Sequence, residues 1–397
     1  MAVYFGGVQL FDGHTVRSRA GVLVAGGRIE WVGSHLRAPR VARAAHQVDG
    51  TGRTLTPGLI DCHVHLCFDG GADFQAEGLE VVGNDALAAL KAVRNGRRHL
   101  EHGVTTVRDL GGPSGYACAV AAAIEAGVAE GPGVVAAGRA LTVTGGHGHG
   151  AFAYEVDGPE NVRRAVREQM RSGARAIKAI ATGGVLTPGV SADFTAFTPE
   201  ELQAAADEAH TWGRGIAAHA IGATGLENAV RAGFDSIEHG SQISVAVARL
   251  MRERGTFLVP TISALRGIVD NPEEVPPYQV EKGRQVMSWA RDSFRRAVRE
   301  GVRFAVGTDA GTPFNPHGSA PLEIERMVEW GLTPLKALKA ATSNAAELLR
   351  VPDVGTVEPG KAGDLVLYDG EPLDEVSLLA TPLVVLQRGE VVAGILP

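Results

Sequence analysis

The chain has 397 residues, too many for one small core, and its length suits one large domain with a smaller appendage. Its 38 Lys and Arg against 45 Asp and Glu give a formal charge of −7, which argues against a nucleic-acid partner. The first ten residues do not read as a signal peptide, and no apolar stretch reaches the roughly 18 residues of a membrane helix. Three cysteines argue against a disulfide framework, so we expect a cytoplasmic protein without a membrane partner.

Residues 1–55 read as short strands separated by tight turns. Asp12-Gly13 and Gly26-Gly27 each separate two apolar runs, which is a hairpin signal. Residues 355–397 repeat this style of short apolar runs. Because neither end could bury a two-sided sheet alone, we expect the two ends to pair into one small β-sandwich domain.

Residues 56–354 alternate apolar runs with helix-like segments. The eight runs lie at 58–65, 103–109, 133–138, 174–181, 215–220, 235–239, 256–261 and 302–309. Helices are predicted at 159–171, 199–212 and 279–300, and Thr198 and Thr333 carry capping signatures. Eight such repeats predict an α/β fold, a (β/α)₈ TIM-type barrel. The alternative, an open doubly wound sheet, would place a Gly-rich fingerprint where this chain has His63-Val64-His65.

Barrel enzymes carry their catalytic groups at the carboxyl ends of the strands, and polar residues mark several of these runs. His63 and His65 lie two apart on a strand, so both imidazoles could reach one metal ion; two surface histidines on a turn are the alternative. Lys178 lies among small apolar residues, where a charged lysine is costly. It would be ion-paired there, or else neutralised or modified to serve two cations.

His219 and His239 each end an apolar run, and each alone would read as a core histidine. Their occurrence together with His63, His65 and Asp309 favours a metal site. A buried carboxylate at Asp309, in Gly307-Thr308-Asp309-Ala310-Gly311, needs a partner that a metal ion and its water would supply.

Several longer motifs extend this pattern over nearly the whole chain. They are Pro57-Gly58-Leu59-Ile60-Asp61-Cys62-His63-Val64-His65, Gly103-Val104-Thr105-Thr106-Val107-Arg108-Asp109, Thr144-Gly145-Gly146-His147-Gly148-His149, Ile177-Lys178, His219, Glu238-His239-Gly240, Gly307-Thr308-Asp309-Ala310-Gly311, Ala340-Ala341-Thr342-Ser343-Asn344-Ala345-Ala346 and Gly360-Lys361-Ala362-Gly363-Asp364-Leu365. With them the chain resembles the amidohydrolase superfamily, in particular its metal-dependent dipeptidases and carboxypeptidases acting on Xaa-Pro, Xaa-Arg or Xaa-Lys.

The resemblance implies a dinuclear centre. His63 and His65 would bind the more buried metal with Asp309, while His219 and His239 would bind the second. Lys178 would carry a carbamate that bridges two divalent ions, which we expect to be zinc. Two cations that share one water push its pKa toward about 7, so a bridging hydroxide would attack the amide of a dipeptide or N-acyl amino acid. Asp309 would act as general base.

Four further residues are candidates for substrate binding. In similar peptidases the loop that corresponds to His147 and His149 helps to bind the substrate, so we expect these histidines to meet its carboxylate; an incidental pair of loop histidines is the alternative. Arg108 would meet an anion or pair with Asp109 or another barrel carboxylate, and His317 would form part of the pocket wall. Ile221 is a departure, because many relatives carry a tyrosine at that position.

The same residues also bear on a deaminase, a non-enzymatic scaffold and hydrolysis of other substrates. A deaminase of this superfamily would lack the bridging lysine and carry a glutamate where this chain has Gly222. A non-enzymatic scaffold would have lost ligands, whereas all six are present. The same centre could instead cleave phosphotriesters, carbamates or lactones. Cys62 and Cys67 read as packing residues, and the loop 263–277 as a lid or a contact in a homo-oligomer, since this family commonly self-associates.

Overall fold

The computed structural model describes residues 2–150 and 152–397. Its first strands are β1 (Val3–Phe11), β2 (Val16–Ala25), β3 (Arg28–Ser34), β4 (His46–Asp49) and β5 (Arg53–Pro57). β1 pairs antiparallel with β2, and β2 pairs antiparallel with β3. At the second turn Gly26 and Gly27 take φ values of 60° and 80°, which side chains rarely adopt. Both predicted hairpins are confirmed.

Strands and helices alternate through the middle of the chain. The strands are β6 (Leu59–Val64), β7 (Val104–Asp109), β8 (Gly133–Ala136), β9 (Ala140–Thr142), β10 (Ala153–Glu155), β11 (Ala176–Ile180), β12 (Gly215–Ala220), β13 (Ser236–His239), β14 (Phe257–Val259) and β15 (Arg303–Phe304). The helices are α1 (Phe74–Val81), α2 (Asp85–Glu101), α3 (Tyr116–Glu125), α4 (Pro159–Arg171), α5 (Pro199–Thr211), α6 (Ala223–Arg231), α7 (Val245–Arg254), α8 (Ile262–Val269), α9 (Pro277–Glu300), α10 (Ala320–Trp330), α11 (Pro334–Ala340) and α12 (Ser343–Leu349).

The central strands pair in parallel in two sheets, ordered β6-β7-β8 and β10-β9-β11-β12-β13-β14-β15. Backbone hydrogen bonds also connect the two sheets, from Arg175 N to Ala136 O and from Cys62 N to Val306 O, both 2.8 Å long. β6, β7 and β11 are buried along their whole length, as parallel strands covered by helices are. The predicted α/β fold is confirmed.

The last strands are β16 (Leu365–Asp369), β17 (Val384–Gln387) and β18 (Glu390–Gly394). They join the first ones in a sheet of order β18-β17-β16-β5-β1-β2-β3, with β4 paired to β1. The link is the antiparallel pairing of β16 with β5, from Leu365 opposite Pro57 to Asp369 opposite Arg53. The two chain ends therefore share one sheet, while the sandwich and the boundaries at residues 55 and 355 stay predictions.

Local helix signals agree with the structure, with one correction. Thr198 forms a capping box with Glu201 at the start of α5, and the Thr333 side chain accepts a hydrogen bond from Lys336 N. The expected loop at 263–277 was wrong in its first half, which is helix α8. Buried Glu323 accepts hydrogen bonds from the N–H groups of Ile262 and Ser263, both 2.8 Å long, and so stabilises the start of this helix.

Among residues 2–150 and 152–397, no helix combines the length and the apolar character that crossing a membrane requires. Cys62 and Cys67 are both fully buried and unpaired. Their positions agree with the expected packing role.

Candidate active site

The six predicted metal ligands lie on the wall of one cavity. They come from four parallel strands, from the residue after β6 and from the segment after β15, and they are His63, His65, Lys178, His219, His239 and Asp309. Parallel neighbouring strands present their carboxyl ends at the same edge, so residues far apart in sequence converge there.

The distances between these groups suit metal coordination. Asp309 Oδ1 lies 3.3 Å from His63 Nε2 and 3.2 Å from His65 Nε2. Potential ligand atoms of His63, His239 and Asp309 all lie within 4.8 Å of one another. The ring of His219 follows, with its centroid 4.4 Å from that of His239. The potential metal-binding side chains therefore form a row and do not all surround a single point.

Each of the four histidines uses one ring nitrogen in a hydrogen bond to the protein. The pairs are His63 Nδ1 with Glu238 Oε2 (2.9 Å), His65 Nδ1 with Gly111 O (2.6 Å), His219 Nε2 with Gly183 O (2.8 Å) and His239 Nδ1 with Thr261 Oγ1 (2.7 Å). Such bonds orient the imidazole and leave its other nitrogen to bind a metal. The site therefore contains both the nitrogens that could bind a metal and the hydrogen-bond partners that orient the imidazoles.

The backbone is strained at two of the predicted ligands and at Thr261, which supports one of them. His239, Thr261 and Asp309 have φ values of 68°, 49° and 60°, in the left-handed region that residues other than glycine avoid. His239 and Thr261 are joined by their side-chain hydrogen bond, and Asp309 N donates to His63 O at 2.7 Å. The surrounding bonds hold the backbone in this costly conformation, which turns the ligand side chains toward the cavity.

Burial sets the protonation of the site. It lowers the pKa of His63, His219 and His239 well below the ordinary value, so that these imidazoles are neutral, which is the form that binds metals. Burial also lowers the pKa of Lys178 to about 8. The Lys178 Nζ atom is buried and has no hydrogen-bond partner within the described part of the chain. A neutral amine is thus accessible at this position at mildly alkaline pH.

Arg108 lies beneath the ligands and forms the ion pair that was one of its two predicted alternatives. Its Nη2 donates to Glu238 Oε1 at 2.8 Å and its Nε to Cys62 O at 2.6 Å. It is 2% exposed and is not among the described residues that line the cavity, so its position agrees with the ion-pair alternative, and the anion contact stays a prediction. Sequence reasoning missed Glu238 as the shared partner of Arg108 and His63. The available signal was a carboxylate within a buried strand, which requires a counter-charge.

Of the expected substrate-binding histidines, His147 lies in the cavity wall. It is buried, its ring centroid is 4.7 Å from that of His219, and its Nδ1 lies 2.8 Å from Thr187 Oγ1. Burial lowers the pKa of His147 to about 3, so the imidazole is neutral.

The other two histidines do not line the cavity formed by the described residues. His149 is exposed and bonds through Nδ1 to Gly146 O of its own loop. His317 is buried and bonds to Phe68 O (2.7 Å) and to His99 Nε2 (3.0 Å). Both ring nitrogens of His317 therefore face internal partners, and its place in the pocket wall stays a prediction.

The rest of the cavity wall is apolar apart from Thr312. Its hydrophobic members are Phe74, Leu110, Ala140, Phe152, Ile180, Val185, Leu186, Ile221, Ala264, Leu265, Ile268 and Val286. Lys178 is the one lysine, and no arginine joins it, among the described residues that line this space. A ligand would meet a polar row on one side and hydrocarbon on the others.

Comparisons with known proteins agree with this arrangement. The family model described as the amidohydrolase family matches residues 54–396. Ochratoxinase of Aspergillus niger is 32% identical over 96% of this chain and 83% of its own. A crystal structure of a Xaa-Pro dipeptidase with bound methionine has a TM-score of 0.91 at 33% identity, covering 99% of this chain and 100% of that one. A prolidase complexed with N-methylphosphonate-L-proline has a TM-score of 0.89 at 32% identity, with both chains fully covered. The chain belongs to the amidohydrolase family and is a hydrolytic enzyme.

Proposed function

We propose that this chain is a dinuclear metal-dependent hydrolase of amide bonds in dipeptides or N-acyl amino acids that carry large apolar groups. The observation that carries the proposal is the row of histidine, lysine and aspartate donors at the floor of an apolar cavity. The ochratoxinase and prolidase relatives support the choice of amide substrates.

The frame for this site is a closed (β/α)₈ barrel over residues 56–354. The two hydrogen bonds that connect the parallel sheets support closure, because they continue the strand order from β8 to β11 and from β15 back to β6. In such a barrel the loops after the strands surround the site and set its specificity.

The donor set fits two divalent cations. His63, His65 and Asp309 would hold one ion, and His219 and His239 the other. Lys178 would bridge them after its neutral amine has added to carbon dioxide and lost a proton, giving a carbamate; its buried, unpartnered Nζ supports this step. Imidazole nitrogen and carboxylate oxygen with open positions suit zinc. When bound, the two ions would activate the attacking water and polarise the amide carbonyl.

Asp309 would transfer the proton of the attacking water during hydrolysis. Burial raises the pKa of this carboxyl, but the hydrogen bond from His65 and the neighbouring cationic groups outweigh that effect, so the pKa lies below its usual value and Asp309 is ionised at neutral pH. It would accept the proton of the attacking water and deliver it to the amide nitrogen as the C–N bond breaks. His147, beside His219 in the cavity wall, would hydrogen-bond the substrate through the nitrogen that Thr187 leaves free.

The apolar wall supports the substrate choice. Burial of hydrocarbon contributes about 25 cal/mol per Å², so Phe74, Phe152 and Leu265 favour substrates with bulky side groups. Ile221 also lines the cavity and supplies hydrocarbon at the position where many relatives carry a phenol.

The test begins with elemental analysis of protein expressed with bicarbonate, followed by a panel of amides with bulky or small acyl groups. We expect two ions per chain and faster hydrolysis of the bulky amides, with no turnover in Asp309→Asn. One ion together with ammonia release would support a deaminase instead. Turnover limited to phosphotriesters, carbamates or lactones would refute the amide substrate while retaining the metal centre.

A further inference from the structure

The segment 183–190, between β11 and α5, forms neither helix nor strand yet supports three parts of the site. Its first residue, Gly183, accepts the hydrogen bond of His219 Nε2 at 2.8 Å. The Thr187 hydroxyl lies 2.8 Å from His147 Nδ1, and Val185 and Leu186 line the cavity. The placement of two imidazoles and part of the wall therefore depends on this irregular segment.

Two side chains of helix α9 hold the segment by its backbone carbonyls. The Lys282 ammonium donates to Thr187 O at 2.7 Å and to Val190 O at 2.6 Å, with Gly184 O at 3.4 Å. The Tyr278 hydroxyl donates to Leu186 O at 2.9 Å. Tyr278 and Lys282 lie four residues apart on one helix face, and the ammonium lies 5.6 Å from the centroid of the phenol ring.

The Lys282 ammonium donates its hydrogen bonds to main-chain carbonyl oxygens of this segment. Within the described residues its three hydrogen bonds all go to main-chain carbonyl oxygens and none goes to a carboxylate, although buried charges are usually paired. An ammonium has three protons to donate, and here three carbonyl oxygens of one loop surround it. Lys282 is half-buried, whereas a surface lysine would keep its ammonium in water. We infer that the ammonium serves to hold this segment.

We propose that Lys282 and Tyr278 are positioning residues that hold the segment 183–190 against His147 and His219 and thereby set the substrate wall. The consequence for catalysis rests on the proposed amide hydrolysis, whereas the consequence for the order of the segment does not. Loss of the donors would free the segment and weaken binding of substrate more than it slows the chemical step.

Hydrogen exchange tests the structural half in the full-length, metal-loaded protein. In Lys282→Met, we expect amides that depend on the segment 183–190 to exchange about tenfold faster, namely that of Gly183, which donates to Phe194 O at 2.8 Å, and that of Gly148, which donates to Thr187 Oγ1 at 2.9 Å. Lys282→Arg, which keeps the donors, should restore part of the protection. Lys336→Met, an exposed lysine on α11, is the matched control. Wild-type exchange of the segment in Lys282→Met would overturn the proposal.

Kinetics test the catalytic half. At saturating metal, we expect KM for a bulky amide to rise about tenfold in Lys282→Met and several-fold in Tyr278→Phe, with a smaller effect on kcat. If Lys282→Met fails to fold, Tyr278→Phe decides, because it removes a single hydroxyl. Faster exchange with an unaltered KM would overturn the role in the substrate wall. Absence of amide turnover in the wild type would instead refute the proposed function and leave the exchange result standing.

Discussion

Replacement of Glu238 by glutamine offers a demanding test of how the site is supported. The Glu238 carboxylate accepts from His63 Nδ1 at 2.9 Å, from Arg108 Nη2 at 2.8 Å and from the Ser236 hydroxyl at 2.5 Å. Glu238 and Arg108 are both almost completely buried. The substitution keeps the shape of the side chain but removes the negative charge that Arg108 and His63 share.

The expected cost follows from the burial. Removing one partner of a buried ion pair leaves an uncompensated charge and costs about 3–5 kcal/mol. A neutral amide would also fail to orient His63 through a charge-assisted hydrogen bond, and loss of such a support lowers metal affinity by about 10- to 100-fold. We therefore expect Glu238→Gln to be less stable when metal-free and to lose metal to a chelator sooner.

Denaturant unfolding of the metal-free protein measures the first effect, and chelator competition measures the second. Glu347→Gln is the matched control, because Glu347 pairs with Arg303 at the surface and its side chain is 61% exposed. That variant should lose no more than about 1 kcal/mol. If Glu238→Gln unfolds at the wild-type midpoint and holds its metal equally well, the supporting role of Glu238 is refuted.

Three further predictions follow from other groups. Lys178→Ala should lose activity, and a short carboxylic acid in solution should restore part of it; full activity without the acid would rule out the carbamate. His239→Asn should abolish turnover and keep the fold by circular dichroism, whereas unfolding at room temperature would give His239 a structural role. Burial raises the pKa of Glu323 from 4.5 to about 7, so the stability that the protonated carboxyl contributes is complete below pH 4.5 and is lost as the pH rises through 7. The free energy of unfolding measured with denaturant between pH 4.5 and 7.5 should therefore fall less steeply in Glu323→Gln than in the wild type, by up to about 1.4 kcal/mol per pH unit, and parallel curves would contradict this assignment.

The sequence by itself determined what depends on neighbouring residues. Helix α4 begins at Pro159 and ends at Arg171, as predicted, because proline at the first position and apolar spacing are local signals. The six predicted ligands share one cavity because residues at the carboxyl ends of parallel strands meet at one edge, whichever loops connect them.

The tertiary structure alone decided which partner each polar side chain meets. Arg108 pairs with Glu238, 130 residues away, rather than with an anion in the cavity. His317 turns to His99, 218 residues away, and the start of helix α8 depends on Glu323, 60 residues beyond Ser263. Hydrogen bonds and ion pairs act only over a few ångströms, so partners so distant in sequence are defined only once the chain has folded.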